Sequence, residues 1–403
     1  MHTLLTSHRF RHPESGGTEV LVHDLAAALL ARGIDVSWMA PGPLPPNTAT
    51  LPGCTYLPLP ALASSGYPAE WYRHERQLVG PAQRLLRSRP PVDAVHVLHF
   101  ARTGLEFLRC LALREAPVLA TLTDYTAVCP DHQLMKRHSD RLCHASAPSQ
   151  ECLTCLQLPG DALGQVDAWR ARNRTWLNET VAAYWVQTPH QAAQIAEAGI
   201  STRHLVRDHA CYGLPAGWEP LSDRAGSSDG DYLLFLGRCS AEKGLHLLLD
   251  AYRRSSSALP LVIATVPDDP GYESRLRALA AQDARIRWQP PTGRERIGPL
   301  LAGARALLIP SLWLENHPIV AHEALALGTP VCCSAVASME HLAEVPGVHL
   351  VEDFTQAAAW GAAIEQFSNA QTQRPRPTFA VLQQAFEDFV DETVGVYTKA
   401  ASR

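Results

Sequence analysis

The sequence lacks the basic excess of a nucleic-acid-binding protein and the long apolar run of a membrane protein. Its 403 residues hold 35 lysines and arginines against 40 aspartates and glutamates, with a net charge of −5. This balance argues against a nucleic-acid partner. No uninterrupted apolar run approaches the ~18 residues of a membrane span. The opening residues, MHTLLTSHRFRHPESGG, contain no apolar region long enough for a signal peptide. We therefore expect a cytoplasmic protein.

Other absences exclude further classes. No G-x-G-x-x-G follows the first strand-like segment, residues 2–7, which argues against a nicotinamide-dependent dehydrogenase. No fixed-period repeat is present, and only one tract, a candidate linker, has a biased composition. The ten cysteines belong in a reducing compartment if the protein is cytoplasmic, so we do not interpret them as disulfides.

Strand-like and helix-like segments alternate along the chain. HTLLTS predicts a strand, TEVLVHDLAAALLARG predicts a helix that stops at Gly33, and IDVSWMA predicts the next strand. Further strands are expected at 94–100, 117–123 and 182–188, with helices at 70–88 and 104–115. Alternation of this kind predicts an α/β fold with doubly wound parallel sheets.

A stretch rich in Gly, Pro, Ser and Asp, residues 211–231, predicts a linker between two domains. The chain is also too long for one ordinary core. We therefore predict two Rossmann-like, doubly wound domains facing an interdomain cleft. The N-terminal domain would comprise 1–212 and be joined by the C-terminal helix 379–403, and the C-terminal domain would comprise 213–378. Ligands of such sheets bind at the carboxyl ends of the strands.

Two glutamates flank a predicted helix start in WLENHPIVAHEALALG, residues 313–328. Pro318 suits the first helical position and Gly328 the C-terminal stop. Glu315 then precedes the helix, and Glu323 lies inside it, ~7–8 Å along the axis from Pro318. The free N–H groups of the first turn favour an anion between the carboxylates. A nucleotide-sugar fits this pattern. The simpler alternative is a helix-stabilising acid plus one salt-bridged glutamate.

A second informative stretch is FLGRCSAEKGLHLLLDAY, residues 235–252. It predicts a strand ending at Gly237 and a helix beginning near Ser240, a plausible N-cap. Arg238 and Lys243 would then stand at the positive end of a helix dipole, which is unfavourable without an anion. A bound diphosphate would reverse that balance. The alternative is a solvated surface Arg and Lys.

Together, GRCSAEKG and ENHPIVAHEALALG resemble the motifs of the retaining glycosyltransferases of the GT-B fold, family 4 (glycosyl transferases group 1). The resemblance implies that Arg238 and Lys243 hold the donor diphosphate. It assigns the donor sugar to Glu315 and the ribose to Glu323. It also extends to the N-terminal PESGGTE loop. The further donor-binding positions that it implies are Gly16, Gly17, Asn316, His317, Ile319 and Val320.

The resemblance implies hexosyl transfer from a nucleotide-sugar to an acceptor hydroxyl, with retention and without a catalytic metal or other cofactor. The donor would bind the C-terminal domain and the acceptor the N-terminal one. A glycan, a lipid-linked saccharide or a small molecule could be the acceptor, in glycan, polysaccharide or glycolipid biosynthesis. Two alternatives stay open: a nucleotide-sugar-binding protein without transfer activity, and a GT-B epimerase or phosphorylase.

One position departs from the family pattern. Many members have His-Asp-Tyr after the strand predicted at 117–123, whereas this chain has Thr123 in place of the histidine and keeps Asp124. The resemblance places Asp124 among the catalytic residues. In the family that histidine lies near the reacting sugar, so its absence bears on catalysis and substrate choice. His96 and His99 could partly substitute, or they could be ordinary core histidines.

A cysteine-rich insertion, residues 129–155, predicts a structural zinc site. Cys129, Cys143, Cys152 and Cys155 fall within it, and the last two form C-x2-C. Thiolates at such spacing suit tetrahedral zinc, and the surrounding segment is polar, loop-like and poor in core formers. Unliganded thiols and an iron–sulfur cluster are the alternatives. The residues that could replace one thiol are His132, His138 and His144.

The segment 70–89 combines Trp71 and Tyr72 with five arginines. It could rest on an anionic membrane surface at the inner face of the cell membrane, where a lipid-linked acceptor would lie. An ordinary solvated helical face is the alternative. Gly80 and Pro81 are expected to interrupt the helix.

Overall fold

The computed structural model forms two compact units. The first comprises Met1–Gly213 together with Ala385–Arg403, and the second comprises Leu214–Gln384. The residues that the structure describes are 1–11, 16–46, 50–61, 69–87, 90–99, 116–137, 139, 141–207, 212–215, 217–218, 232–290, 293–369 and 374–402.

A seven-stranded sheet with the order β3-β2-β1-β4-β5-β6-β7 forms the centre of the first unit. Neighbouring strands pair in parallel. Because β1 lies between β2 and β4, the strand order reverses there, and loops on both sides open a crevice at the carboxyl edge. The strands are β1 His2–Thr6, β2 Asp35–Pro41, β3 Thr55–Leu59, β4 Ala94–Val97, β5 Val118–Thr121, β6 Val181–Trp185 and β7 Leu205–Arg207.

Helices alternate with these strands, as the apolar spacing predicts. The predicted interruption at Gly80 and Pro81 is wrong, because one helix runs through both residues. A proline removes one N–H bond and can bend a helix without ending it. The helix expected at 104–115 and most of the linker expected at 211–231 lie outside the described residues. The helices are α1 Gly17–Ala31, α2 Ala69–Arg87, α3 Ser149–Cys155, α4 Leu163–Thr175 and α5 Pro189–Glu197.

The second unit has a six-stranded parallel sheet with the order β10-β9-β8-β11-β12-β13. Its strand order reverses between β8 and β11, which pair directly. The strands are β8 Leu233–Cys239, β9 Leu261–Pro267, β10 Ile286–Trp288, β11 Ala306–Ile309, β12 Val331–Ser334 and β13 Val348–Val351. The helices are α6 Leu245–Arg254, α7 Pro270–Ala280, α8 Arg294–Ala302, α9 Ile319–Ala326 and α10 Ala357–Asn369.

The final helix, α11 Phe379–Ala401, contributes to the core of the first unit. Phe389 and Tyr397 are fully buried there beside Trp185. The Tyr397 hydroxyl lies 2.6 Å from Nδ1 of His96, which is also fully buried. Side chains of α11 therefore complete the core of the first unit, whose other residues come from the first two hundred positions of the chain.

Two parallel Rossmann-like sheets confirm the predicted α/β fold class. Among the described residues, no helix combines the length and the apolar character that crossing a bilayer requires.

Candidate functional site

The loop between β11 and α9 carries the first of the two glutamates. Glu315 lies in this loop and is 3% exposed, and Glu323 lies inside α9 and is 1% exposed. Pro318 is the N-cap of α9 and not, as predicted, its first helical residue, and its side chain provides no cap hydrogen bond. Gly328, with a φ of 69°, follows the helix end. An open helix start thus lies between two buried carboxylates, as the sequence predicts.

Lys243 and Glu315 form a close ion pair although they are 72 residues apart. The Lys243 Nζ lies 2.6 Å from Glu315 Oε1. The Ser311 hydroxyl donates to the same carboxylate oxygen. Burial would raise the pKa of Glu315, but the ammonium of Lys243 and these hydrogen bonds outweigh it and hold the pKa below its ordinary value. Glu315 is therefore an ionised, buried carboxylate.

Arg238, at the end of β8, is held by two carboxylates. Its Nη2 lies 2.8 Å from Glu242 Oε1, and its Nη1 lies 2.6 Å from Asp268 Oδ2. Burial opposes the charged guanidinium, but Glu242, Asp268 and Glu315 raise the pKa of Arg238 above its ordinary value. Both cations that the sequence assigns to a diphosphate are thus paired with carboxylates in this structure.

The helix predicted to begin near Ser240 does begin there, with Ser240 at the N-cap position, but it is not an α-helix. Ala241–Lys243 form a 3-10 turn, and α6 begins only at Leu245, so Lys243 lies before the α-helix. The Ser240 hydroxyl donates to Glu242 instead of capping the turn. The cause is Gly244, whose φ of 68° is left-handed, and a Cβ at this position would stand 1.8 Å from the Pro310 carbonyl oxygen.

Within the described part of the chain, the side chain of Asn316 has no hydrogen-bond partner although Asn316 is only 4% exposed. Both its Nδ2 and its Oδ1 are buried, and polar atoms left in this way are rare in folded proteins. The next side chain, His317, stacks on His322 with the ring centroids 4.1 Å apart. Ile319 and Val320 open α9. An unpartnered amide beside an open helix start is the arrangement expected of a polar ligand site.

Arg294 was not anticipated from the sequence. It is the first residue of α8, and its Nη2 lies 2.9 Å from Glu323 Oε1. Sequence reasoning missed it because nothing in the GRERIG stretch resembles the family motifs quoted above. The pair shows that Glu323 shares its buried position with a cation.

The predicted N-terminal glycines open α1. Gly16 is the N-cap of α1, without a side-chain cap, and Gly17 is the first helical residue. Nearby, Glu19 is 1% exposed and contacts both His8, at 3.0 Å, and Arg9. Burial would raise the pKa of Glu19, but these partners lower it to about 2. His8 and Glu19 were not predicted from the sequence, where each residue by itself is unremarkable in type and position.

Asp124 follows β5 and pairs with His99, whose Nε2 lies 2.8 Å from Asp124 Oδ2. Burial would raise the pKa of Asp124, but His99 outweighs it and holds the pKa well below the ordinary range. The Thr123 hydroxyl instead donates to the Leu98 carbonyl. His96 is a core histidine, as its contacts with Tyr397 and Thr121 show. Of the two histidines considered, His99 is therefore the one beside Asp124.

The four predicted zinc ligands, Cys129, Cys143, Cys152 and Cys155, line one cavity. The C-x2-C pair lies in α3, so this part of the insertion is helical and the loop prediction is wrong there. The helix α3 packs on α4 through a small apolar cluster, and this contact is enough to stabilise it without a large core. All four thiols are free, and burial raises the pKa of each.

In the parts of the chain described above, no three or more His, Cys, Asp or Glu side chains are arranged to hold a metal ion. The zinc site therefore stays a prediction. His138 lies outside the described residues, whereas His132 and His144 lie within them. Two N–H donors do reach the cysteine sulfurs: the Arg137 backbone N–H donates to Cys155 at 3.3 Å, and the Arg170 guanidinium donates to Cys152 at 3.3 Å.

Metal analysis of protein purified without added metal is expected to find about one zinc per chain. Cys155→Ser should lose the metal and melt at a lower temperature, because zinc binding to thiolates contributes folding free energy. Cys54→Ser is the matched control, since Cys54 is a half-buried free cysteine of the same unit. A metal-free wild-type protein whose four thiols react under native conditions would contradict the prediction.

Comparison with known proteins identifies the second unit. Residues 222–378 match the family model for glycosyl transferases group 1. Among curated proteins, D-inositol 3-phosphate glycosyltransferase of Frankia alni is 34% identical over 123 residues, which cover 28% of this chain and 30% of the relative. The corresponding Nocardioides enzyme is 28% identical over 194 residues, covering 43% and 42%. The matched part of the chain thus spans less than half the length of these relatives.

Solved structures match along the whole chain. Sucrose-phosphate synthase from Thermosynechococcus elongatus aligns with a TM-score of 0.68 and 16% identity, covering 100% of this chain and 97% of that one. Anabaena HepE, solved in complex with UDP-glucose, aligns with a TM-score of 0.65 and 14% identity, covering 100% of both chains. At these identities the likeness shows the fold. Residues 222–378 are therefore similar in sequence to glycosyl transferases group 1, and the chain has the GT-B fold that the sequence resemblance implies.

Proposed function

We propose that this protein transfers a sugar from a nucleotide-sugar donor to an acceptor hydroxyl, with retention at the anomeric carbon. The observation that carries the proposal is the ion pair between Lys243 and the buried Glu315 beside the open start of α9. A cation, a carboxylate, helix N–H groups and the unpartnered amide of Asn316 are together there. Retention rests on the resemblance to the retaining family.

The diphosphate would bind Lys243, Arg238 and the backbone N–H groups at the start of α9. The leaving diphosphate gains negative charge as its bond to the sugar breaks. Cations and helix N–H groups already in place stabilise that charge more in the transition state than in the ground state. These protein groups supply the neutralisation, so the proposed chemistry needs no metal.

The two carboxylates would hold the two ends of the donor. An ionised carboxylate only accepts hydrogen bonds, and hydroxyl groups of the sugar and the ribose can donate them. Glu315 is assigned to the sugar and Glu323 to the ribose. Arg294, 2.9 Å from Glu323, pairs with that carboxylate in its buried position.

The acceptor is assigned to the carboxyl edge of the first sheet, near its strand-order reversal. Asp124 and His99 form a polar pair at that edge. The acceptor class spans glycans, lipid-linked saccharides and small molecules. Because the curated relatives are named for inositol 3-phosphate, a phosphorylated polyol belongs in the acceptor panel.

A thermal-shift screen with UDP-, GDP- and ADP-sugars tests the donor assignment. At 100 times its dissociation constant, the true donor should stabilise the protein by ~2.7 kcal/mol. For a unit of this size that corresponds to a rise in Tm of roughly 5–10 °C. Glu323→Gln should reduce the shift, since its ribose contact would weaken. NMR of the product formed with an acceptor panel then reports the anomeric configuration. Failure of every donor to shift the Tm or to be turned over would contradict the proposal.

A further inference from the structure

The carboxylate of Asp268 occupies one edge of the Arg238 guanidinium, which could otherwise bind an anion. It follows β9 directly, and the parallel pairing places Val266 opposite Arg238 and Pro267 opposite Cys239. The carboxylate of Asp268 therefore emerges beside the end of β8, with its Oδ2 2.6 Å from Arg238 Nη1.

The two carboxylates on Arg238 differ in how firmly they are held. The Glu242 side chain is 11% exposed and also accepts a hydrogen bond from the Ser240 hydroxyl at 2.6 Å. The Asp268 side chain is 43% exposed. Solvent therefore competes for Asp268 far more than for Glu242, so the Asp268 contact is the one that an incoming ligand can replace at low cost.

The neighbouring residue fixes the backbone at this point. Asp269 is the N-cap of α7, and its Oδ1 accepts from the Tyr272 N–H at 2.9 Å. Two consecutive aspartates thus differ in their contacts: Asp269 anchors a helix, and Asp268 reaches Arg238. Release of Arg238 by Asp268 requires only a side-chain rotation, which leaves the cap of α7 intact.

We propose that Asp268 is an internal competitor of the donor diphosphate, which occupies the Nη1 edge of Arg238 until a diphosphate displaces it. The inference rests on the proposed function. A guanidinium has five N–H donors in a fixed fork, and Glu242 contacts Nη2 while Asp268 contacts Nη1. A diphosphate that approaches the Nη1 edge must displace Asp268 or share Nη1 with it, and it also meets the negative charge of Asp268. Both effects weaken donor and product binding and so hasten release.

Calorimetric titration with UDP, GDP, ADP and inorganic pyrophosphate tests this competition. Asp268→Asn should bind the preferred nucleoside diphosphate about 3- to 5-fold more tightly than the wild type, the range expected for one partly exposed ion pair. In an Arg238→Ala background the same substitution should produce a smaller gain, because the competed group is gone. Asp250→Asn is the matched control, since Asp250 pairs with Arg254 at 2.9 Å on α6 and should leave affinity unchanged.

A gain in affinity separates competition from structural damage, because damage to the site lowers affinity. If the wild type binds a nucleoside diphosphate and Asp268→Asn binds it equally or more weakly, this inference alone is wrong. An equal gain in Asp250→Asn would also contradict it, since the effect would then be one of net charge. If the wild type binds none of the four probes, the proposed function fails and the inference fails with it.

Discussion

Glu315→Gln is expected to lower turnover by ~10²-fold, equivalent to ~2.7 kcal/mol. In the proposed reaction, positive charge develops at the anomeric carbon as the diphosphate leaves, and we expect the buried, ionised carboxylate of Glu315 to stabilise it. An interaction that is stronger in the transition state than in the ground state acts on turnover more than on binding. The nucleoside diphosphate should therefore still bind to the variant.

Glu323→Gln is the matched control for this prediction. The ribose that Glu323 is assigned to bind changes little during transfer, so this variant should mainly raise the Michaelis constant for the donor. Steady-state kinetics and calorimetric titration of the nucleoside diphosphate measure both effects. Full turnover by Glu315→Gln on the true donor and acceptor would show that the role assigned to Glu315 is wrong.

Lys243→Ala is expected to lower both stability and turnover. Removing the ammonium leaves the carboxylate of Glu315 buried without its cation, which costs about 3–5 kcal/mol. For a unit of this size the Tm should fall by roughly 10 °C. Turnover should fall by at least ~10²-fold, because the departing diphosphate loses a stabilising charge.

Adding Glu315→Gln to Lys243→Ala should recover much of the stability, since no unpaired charge stays buried, but it should not recover turnover. Lys399→Ala is the control, because Lys399 is an exposed lysine near the end of α11. Thermal denaturation and steady-state kinetics on the four proteins provide the measurements. A Lys243→Ala variant with wild-type Tm and turnover would show that the ion pair contributes neither to stability nor to turnover.

The parallel sheets were predictable from the sequence because apolar, strand-like segments alternate with segments of helical spacing. Few folds other than parallel α/β sheets have that pattern. The short strand β3, Thr55–Leu59, was missed because five residues between turn-forming segments give little periodicity. The error at Ser240 has a tertiary cause. A rule based on local N-cap preference does not include the contact of Gly244 with Pro310, where Gly244 adopts a positive φ.

The candidate site was predictable in its residues and not in its contacts. The resemblance marks Lys243 and Glu315, but their 2.6 Å contact arises because β8 and β11 are neighbours in the sheet. Arg294 and Asp268 lie outside the quoted motifs, and only the fold brings them to Glu323 and Arg238. The roles assigned to these residues stay predictions until the variants above are measured.

The first unit takes core residues from both ends of the chain, and this has a consequence for biosynthesis. Tyr397 and Phe389 leave the ribosome only after the whole second unit has been made. At ~5–20 residues per second that interval is on the order of ten to thirty seconds. Until then, the surfaces of His96 and Trp185 that α11 covers stay open. We expect the nascent first unit to depend on chaperones during this interval, whereas the second unit can fold as soon as it emerges.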